Sequence, residues 1–134
     1  MRVVLDTNVF VSGVFFGGTP GRILRAWYEG LIDLVVSAEI IAEYERVGRE
    51  VAEDVPGVEV MSPLALVAVR AEMVASLPLP ATVCSDADDD KFLACAVSGG
   101  VKHVVSGDKA LLRVSGFAGI EVVTPRAFVD RYLS

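Results

Sequence analysis

Carboxylates stand at four separated places in this 134-residue chain, and they are the side chains best suited to chemistry. They are Asp6, Glu43, a cluster of four acids from Asp86 to Asp90, and Asp108. Oxygen ligands without His or Cys select hard cations such as Mg²⁺ or Mn²⁺, which proteins hold with few carboxylates plus water and substrate phosphate. Such an ion lowers the pKa of an attacking water and neutralises charge on a phosphodiester. The pattern therefore indicates metal-dependent phosphodiester hydrolysis.

Two of these acids also have a purely structural interpretation. Asp6, followed by Thr7 and Asn8, could form an ordinary turn after an apolar strand. Glu43 could be a solvated helix acid near Arg46. Both interpretations stay open from the local sequence alone.

The acidic cluster "SDADDDK" (85–91) immediately precedes a very apolar helical segment. Acids at this place cap a helix by hydrogen bonding and interact favourably with its dipole. One or two acids satisfy that need, whereas four repel one another, so a cation site competes with a capping cluster. We expect Asp90 to point toward the core, because helical spacing places it on the face of Leu93, Ala94 and Val97.

Other kinds of site are poorly supported. His103 is the only histidine and lies at the start of a predicted strand, where packing or surface exposure is expected. Cys84 and Cys95 show no metal-binding spacing and no nearby base, so they are predicted to be small apolar fillers. The chain has neither a nucleophile elbow nor a glycine-rich phosphate loop.

Apolar runs alternate with helical patterns along the whole chain. Strands are predicted at 2–6, 33–37, 58–61, 102–108 and 120–123. Helices are predicted at 19–30, from about 38, from 62, from about 89, at 109–114 and from 124, and a glycine-rich loop at 13–18. This alternation predicts a parallel α/β sheet in a single domain of residues 1–134.

The first and fourth predicted strands end beside Asp6 and Asp108. In open parallel sheets, ligands bind outside the carboxyl ends of the strands, where the winding reverses. If these two strands are neighbours, the two acids face one another across that crevice. The sequence pattern alone does not fix the strand order.

The composition narrows the range of partners. A net charge of −6 and a pI of 4.7 disfavour ordinary nucleic-acid binding, which depends on Lys and Arg side chains. A bound cation can supply the positive charge instead at an acidic site. The hydrophobic fraction of 53% predicts either a rich core or a face covered by a partner. The start of the chain is neither a credible signal peptide nor a membrane span, and the cysteine usage favours a reduced cytoplasmic setting.

The chain resembles the PIN-domain family over essentially its whole length. The resemblance is carried, in order, by "VVLDTNVFVSG", "SAEIIAEYERV", "DADDDKFLACAVSGG" and "HVVSGDKALL". It is closest to the short single-domain bacterial and archaeal group described as toxins of type II toxin–antitoxin modules. The resemblance implies a three-layer α/β/α sandwich with a five-stranded parallel sheet in the order 3-2-1-4-5.

The resemblance also implies a function and a set of site residues. The function is that of a ribonuclease dependent on Mg²⁺ or Mn²⁺, with RNA as substrate, an antitoxin protein as partner, and a homodimer. The catalytic and metal-binding acids are Asp6, Glu43, Asp90 and Asp108, with Asp88 and Asp86 as further metal candidates. Supporting polar residues are Thr7, Asn8 and Ser106. Nearness in sequence to the acids suggests RNA contacts for Arg22, Arg25, Arg46, Lys91 and Lys109.

Three other functions compete with this one. An aspartate-dependent phosphatase also places an Asp after its first strand, but it usually has a second Asp where Asn8 stands and a Thr where Phe10 stands. A phosphate-receiver module would need an acidic pair before Asp6, and none is present. A catalytically silent PIN-like domain that binds RNA or protein is the non-enzymatic alternative.

Overall fold

The computed structural model describes residues 1–133 and contains, in that range, a five-stranded sheet and seven α-helices. The strands are β1 (Arg2–Leu5), β2 (Asp33–Val36), β3 (Glu72–Met73), β4 (His103–Val105) and β5 (Glu121–Val123). The α-helices are α1 (Thr7–Phe15), α2 (Gly18–Tyr28), α3 (Ala38–Asp54), α4 (Met61–Arg70), α5 (Asp90–Gly99), α6 (Lys109–Leu112) and α7 (Pro125–Phe128). Short 3₁₀ turns cover Ala87–Asp89 and Phe117–Gly119, and a π-helical turn covers Val129–Leu133.

All five strands are parallel, in the order β3-β2-β1-β4-β5. The predicted fold class and strand order are therefore confirmed. Strands β1 and β4 are neighbours, with Leu5 paired to Val105. The pairing continues one step further, because the Asp6 N–H donates to the Val105 carbonyl at 3.0 Å. Asp6 and the residues after β4 thus leave the sheet at the same edge.

The central strand is buried on both faces. Val3, Val4 and Leu5 are each fully buried, although consecutive strand residues point to opposite sides of a sheet. Helix α5 packs on β1, β2 and β4, while α1 packs against α2 and α3. This is the burial expected of a parallel sheet between two helical layers. Among the described residues, none of the helices combines the length and the apolar character needed to cross a bilayer.

Two predicted elements are wrong. The segment 58–61 is not the third strand: Val60 precedes α4, and the strand is β3, inside the predicted helix. The buried Val60 side chain lies against Gly48 of α3, so its apolar character serves a helix contact. The glycine-rich segment 13–18 is largely helical, because α1 continues to Phe15. Ser134, at the end of the last predicted helix, lies outside the described residues.

Candidate functional site

Asp6 is a buried carboxylate at the end of β1, only 5% exposed. The Ser106 hydroxyl donates to its Oδ2 at 2.5 Å, and the Asn8 backbone N–H also stabilises it. Burial raises the pKa of Asp6, these two donors lower it in part, and the charges of Asp108 and Glu43 raise it further. Asp6 therefore faces two other acids from a position with little access to water.

Ser106 joins the two acids that follow β1 and β4. Its fully buried Oγ donates to Asp6 and accepts the backbone N–H of Asp108 at 2.9 Å. Asp108 in turn caps α6, because its Oδ1 accepts the Ala110 N–H at 2.8 Å. One serine thus fixes both the Asp6 carboxylate and the backbone that carries Asp108.

Glu43 reaches the site from α3, which begins after Ser37 with a side-chain cap to the Ile40 N–H. The next residue, Tyr44, is fully buried, and its hydroxyl donates to the Leu5 carbonyl at 2.5 Å. The Tyr44 ring also stacks on Phe10 with the centroids 4.3 Å apart. These contacts hold α3 against the end of β1 and bring Glu43 beside Asp6.

Both oxygens of Glu43 have partners. The Thr7 hydroxyl donates to Oε2. Lys91 Nζ lies 2.6 Å from Oε1, and Arg46 Nη2 lies 3.7 Å from the same atom. Lys91 also lies 3.2 Å from Asp88 Oδ1. Burial alone would lower the pKa of Lys91, but the two carboxylates outweigh it and raise that pKa. A lysine cation therefore stands within the acidic group.

The acidic cluster divides into different roles. Asp86 is exposed and caps the 3₁₀ turn by accepting the Asp88 N–H at 3.0 Å. Asp88 is also exposed and pairs with Lys91, which lowers the Asp88 pKa. Neither carboxylate is held in the buried part of the site.

Asp90, the acid predicted from spacing, holds the preceding loop. Its two oxygens accept the N–H groups of Cys84 at 2.8 Å and Val83 at 3.0 Å. Burial alone would raise the pKa of Asp90, but these two donors outweigh it and lower that pKa. The structure thus places Asp90 in a backbone-binding position.

Asp89 is the member of the cluster that faces Asp6 and Asp108. Its Oδ2 is buried and is the only such side-chain atom without a hydrogen-bond partner among residues 1–133. Burial raises the pKa of Asp89 to about 7, with further contributions from the charge of Asp108, a side-chain hydrogen bond with Asp108, and the charges of Asp86 and Asp6. The prediction from helical spacing selected Asp90 and not Asp89, because it assumed a regular helix here. The 3₁₀ turn Ala87–Asp89 precedes α5 and changes the direction in which each carboxylate points.

The arrangement fits a hydrated divalent cation better than a closed cage. Within residues 1–133, no three Asp, Glu, His or Cys side chains form a ready cluster for a metal ion. The unpartnered Oδ2 of Asp89 and the buried Asp6 nevertheless supply hard oxygen donors that lack enough compensating charge. Mg²⁺ keeps several waters and is usually bound through one or two carboxylates plus phosphate. The donors present therefore suit an ion of this class.

The five predicted RNA contacts fall into two places. Arg46 and Lys91 belong to the acidic site, and Lys109 is exposed directly after Asp108. Arg22 and Arg25 lie on α2 and line a separate cavity whose lining contains none of the site acids.

Cys84 adjoins the acidic cluster through Asp90, whereas Cys95 and His103 have no contact with Asp6, Asp89 or Asp108 among the interactions of the described residues. Cys84 and Cys95 are buried free thiols, and burial raises their pKa values to about 12 and about 11. His103 packs edge-on against Tyr132, with ring centroids 5.2 Å apart. Neither thiol is therefore available as a nucleophile near neutral pH.

Comparison with known proteins gives a match over most of the chain. The family model described as PIN domain matches residues 2–110, which include Asp6, Glu43, the acidic cluster and Asp108. No curated protein matches the chain.

Proposed function

This chain belongs to the PIN-domain family, whose members are generally nucleases, and on that premise we propose that it is a Mg²⁺- or Mn²⁺-dependent endoribonuclease. The observation that carries the proposal is the convergence of Asp6, Asp89 and Asp108 at the carboxyl edge of β1 and β4. Asp89 leaves a buried oxygen unpartnered there. Such carboxylates destabilise a fold in their charged form unless a cation binds them, and the raised pKa of Asp89 expresses that cost.

Asp6 and Asp89 are the residues that would hold the metal ion, with Asp108 beside them. Ser106 orients Asp6, and Thr7 orients Glu43 at the rim of the site. When bound, the ion would lower the pKa of the attacking water and neutralise negative charge on the phosphate. Buried side chains around Asp6 limit the access of water to the site, and electrostatic interactions are stronger where water is excluded.

The alternatives have less support. A phosphatase of the aspartyl-phosphate type would need a hydroxyl near position 10, but Phe10 is fully buried against Tyr44. The silent binding module is opposed by the retained acids, and a cleavage assay separates it from the enzyme.

The test is cleavage of several labelled RNAs with Mg²⁺ or Mn²⁺, and with EDTA. We expect Asp6→Asn to lower the rate by at least about 100-fold, since it removes a charge that acts directly on the metal. Asp54→Asn, at an exposed position at the end of α3, is the matched control and should cleave like the wild type. Equal rates for the wild type and Asp6→Asn would reject the nuclease and favour the binding module.

We also propose that the chain is the toxin of a toxin–antitoxin module in the cytoplasm and forms a homodimer. The resemblance to the short single-domain group supports the toxin role. The exposed apolar side chains of Val69, Met73 and Leu77, around edge strand β3, support a dimer surface. Growth arrest on expression of the wild type but not of Asp6→Asn tests the toxin role. Light scattering of Val69→Asp/Leu77→Asp tests the dimer.

A further inference from the structure

A cavity of about 700 Å³ lies between the last turn of α1, the helix α2 and the segment that leads into α4. Five glycines line it: Gly13, Gly17, Gly18, Gly21 and Gly57. Gly13 allows α1 to pack closely on Leu24 of α2, whereas Gly17, Gly18 and Gly57 leave open space beside the backbone. Gly17 and Gly18 have φ values of +70° and +63°, and a Cβ at either would meet no atom within 4 Å. Glycine adopts this conformation without the steric penalty of other residues.

Two arginines give the cavity its charge. Arg22 and Arg25 are exposed on one face of α2, three residues apart. Within residues 1–133 neither forms an ion pair, whereas Arg46, Arg49 and Arg131 pair with acids. The one acid in the lining, Glu59, accepts the Ser62 N–H at 3.1 Å. Two free guanidinium groups in a protein of net charge −6 favour an anionic ligand.

Tyr28 continues the same row of side chains, three residues after Arg25. It lines the cavity and is 40% exposed, with its ring against Trp27 at a centroid distance of 5.2 Å. Arg70 Nη2 donates to the Tyr28 carbonyl at 3.2 Å, which fixes the backbone there. Cationic groups beside an aromatic face are the combination that binds single-stranded nucleic acid: the cations follow the phosphates and the ring stacks on a base.

We propose that this cavity is a second binding site for single-stranded RNA, with Arg22 and Arg25 contacting phosphates and Tyr28 stacking on a base. The choice of RNA as the anion rests on the proposed function. Helix α1 connects this cavity to the acids: it begins beside Asp6, and Gly13 lies about 9 Å further along its axis, at 1.5 Å per residue. The acids and the cavity therefore lie near opposite ends of α1, a helix whose length is comparable to a few nucleotides of extended single strand.

The test measures binding of a fluorescent, unstructured oligoribonucleotide by anisotropy over a range of salt concentrations. All proteins carry Asp6→Asn, so that the RNA is not cleaved. Arg22→Gln/Arg25→Gln is compared with Lys102→Gln/Arg131→Gln, which removes two exposed charges outside the cavity lining. Each phosphate contact of a single strand adds about 0.7 to the magnitude of the slope of log binding constant against log salt concentration. The loss of two contacts should therefore reduce this magnitude by about 1.4. The control pair should change neither slope nor affinity by more than about twofold.

A second pair of variants tests the stacking role. Tyr28→Ala should weaken RNA binding by about 5-fold or more, and Tyr28→Phe should retain it, because stacking needs the ring and not the hydroxyl. Unchanged far-UV circular dichroism confirms that each variant is folded.

The outcomes separate this proposal from the proposed function. If the wild-type chain cleaves RNA but Arg22→Gln/Arg25→Gln binds it like the control pair, the second site is wrong and the nuclease stands. The cavity is then left to another ligand, such as an acidic protein segment. If the wild type does not cleave but the α2 variants bind more weakly, the RNA site stands and the nuclease is wrong.

Discussion

Lys91 Nζ lies 2.6 Å from Glu43 Oε1, and only 14% and 11% of these two side chains are exposed. Because Thr7 donates to the other oxygen, both side-chain oxygens of Glu43 have a partner. A metal ion that binds Glu43 therefore competes with Lys91 for Oε1. The lysine is an internal cation that competes with an external one for the same carboxylate.

Lys91→Gln should consequently bind Mn²⁺ more tightly than the wild type does. Without metal, the variant should lose about 1–3 kcal/mol of unfolding free energy, because Glu43 loses its buried partner. Added Mn²⁺ should then stabilise the variant more than the wild type, since stabilisation grows with the ratio of ligand to Kd. Denaturant unfolding with EDTA and with Mn²⁺ measures both effects.

Lys109→Gln is the matched control, because Lys109 is an exposed lysine directly after Asp108. It removes the same charge without removing a buried ion pair. If Mn²⁺ stabilises Lys91→Gln no more than it stabilises this control, the competition between Lys91 and the metal is refuted.

Ser106→Ala should lower RNA cleavage by about 10- to 100-fold, the usual effect of removing a residue that orients a metal ligand. The variant leaves Asp6 without its side-chain donor and the Asp108 N–H without its acceptor. Ser106→Thr keeps the hydroxyl and should recover most of the rate. Initial rates at saturating Mg²⁺ compare the three proteins, and a Thr variant as poor as the Ala variant would count against the hydrogen-bond explanation.

Asp89→Asn should be more stable than the wild type at pH 8 in EDTA. The native pKa of Asp89 is about 7, above its ordinary value of 3.8, so the folded protein holds a proton that the unfolded chain releases between these values. Wild-type stability therefore falls as pH rises through this window, and Asn removes the effect. Urea unfolding across pH 4–8 should show an advantage that grows with pH and is absent near the lower end. An advantage independent of pH would mean that ionisation of Asp89 is not its cause.

Asp90→Asn should change stability in the opposite direction. It weakens two charge-assisted hydrogen bonds to the Cys84 and Val83 N–H groups, and we expect a loss of about 1–3 kcal/mol near pH 7. Since these bonds lower the pKa of Asp90, the loss should shrink as pH falls below its ordinary value of 3.8. Urea unfolding at neutral pH and at several values below pH 3.8 measures both effects. A gain in stability at neutral pH would contradict the structural role of Asp90.

Most of the fold could be predicted from the sequence, because long apolar runs that alternate with helical patterns are strong local signals. Strand β3 could not, since it has two exposed residues and carries no pattern. The alternation at 58–61 misled because Val60 is buried for a different reason, its contact with Gly48. Helix α1 was missed because its β-branched valines and glycine disfavour helix locally, and burial of Val9, Phe10 and Val11 overrides that preference.

The site was predictable to the level of its segments. Asp6 and Asp108 follow strands, so the sheet edge itself brings them together. Which acid of the cluster faces Asp6 and Asp108 depends on the 3₁₀ turn Ala87–Asp89. A prediction that assumes a regular helix from residue 89 selects Asp90 in place of Asp89. The lysine partner of Glu43 is 48 residues away in the chain, beyond any local pattern.

The hydrogen bond from Tyr44 to the Leu5 carbonyl has a practical consequence. Each of these residues directly adjoins a site acid, Glu43 and Asp6, so the core sets the spacing of the two acids. Burial raises the pKa of Tyr44 well above its ordinary value, which keeps the donor protonated under all working conditions. Neutralising Asp6 leaves this scaffold intact. If RNA is the substrate as proposed, the Asp6→Asn chain should therefore serve as a trap that retains uncut RNA from cells for sequencing.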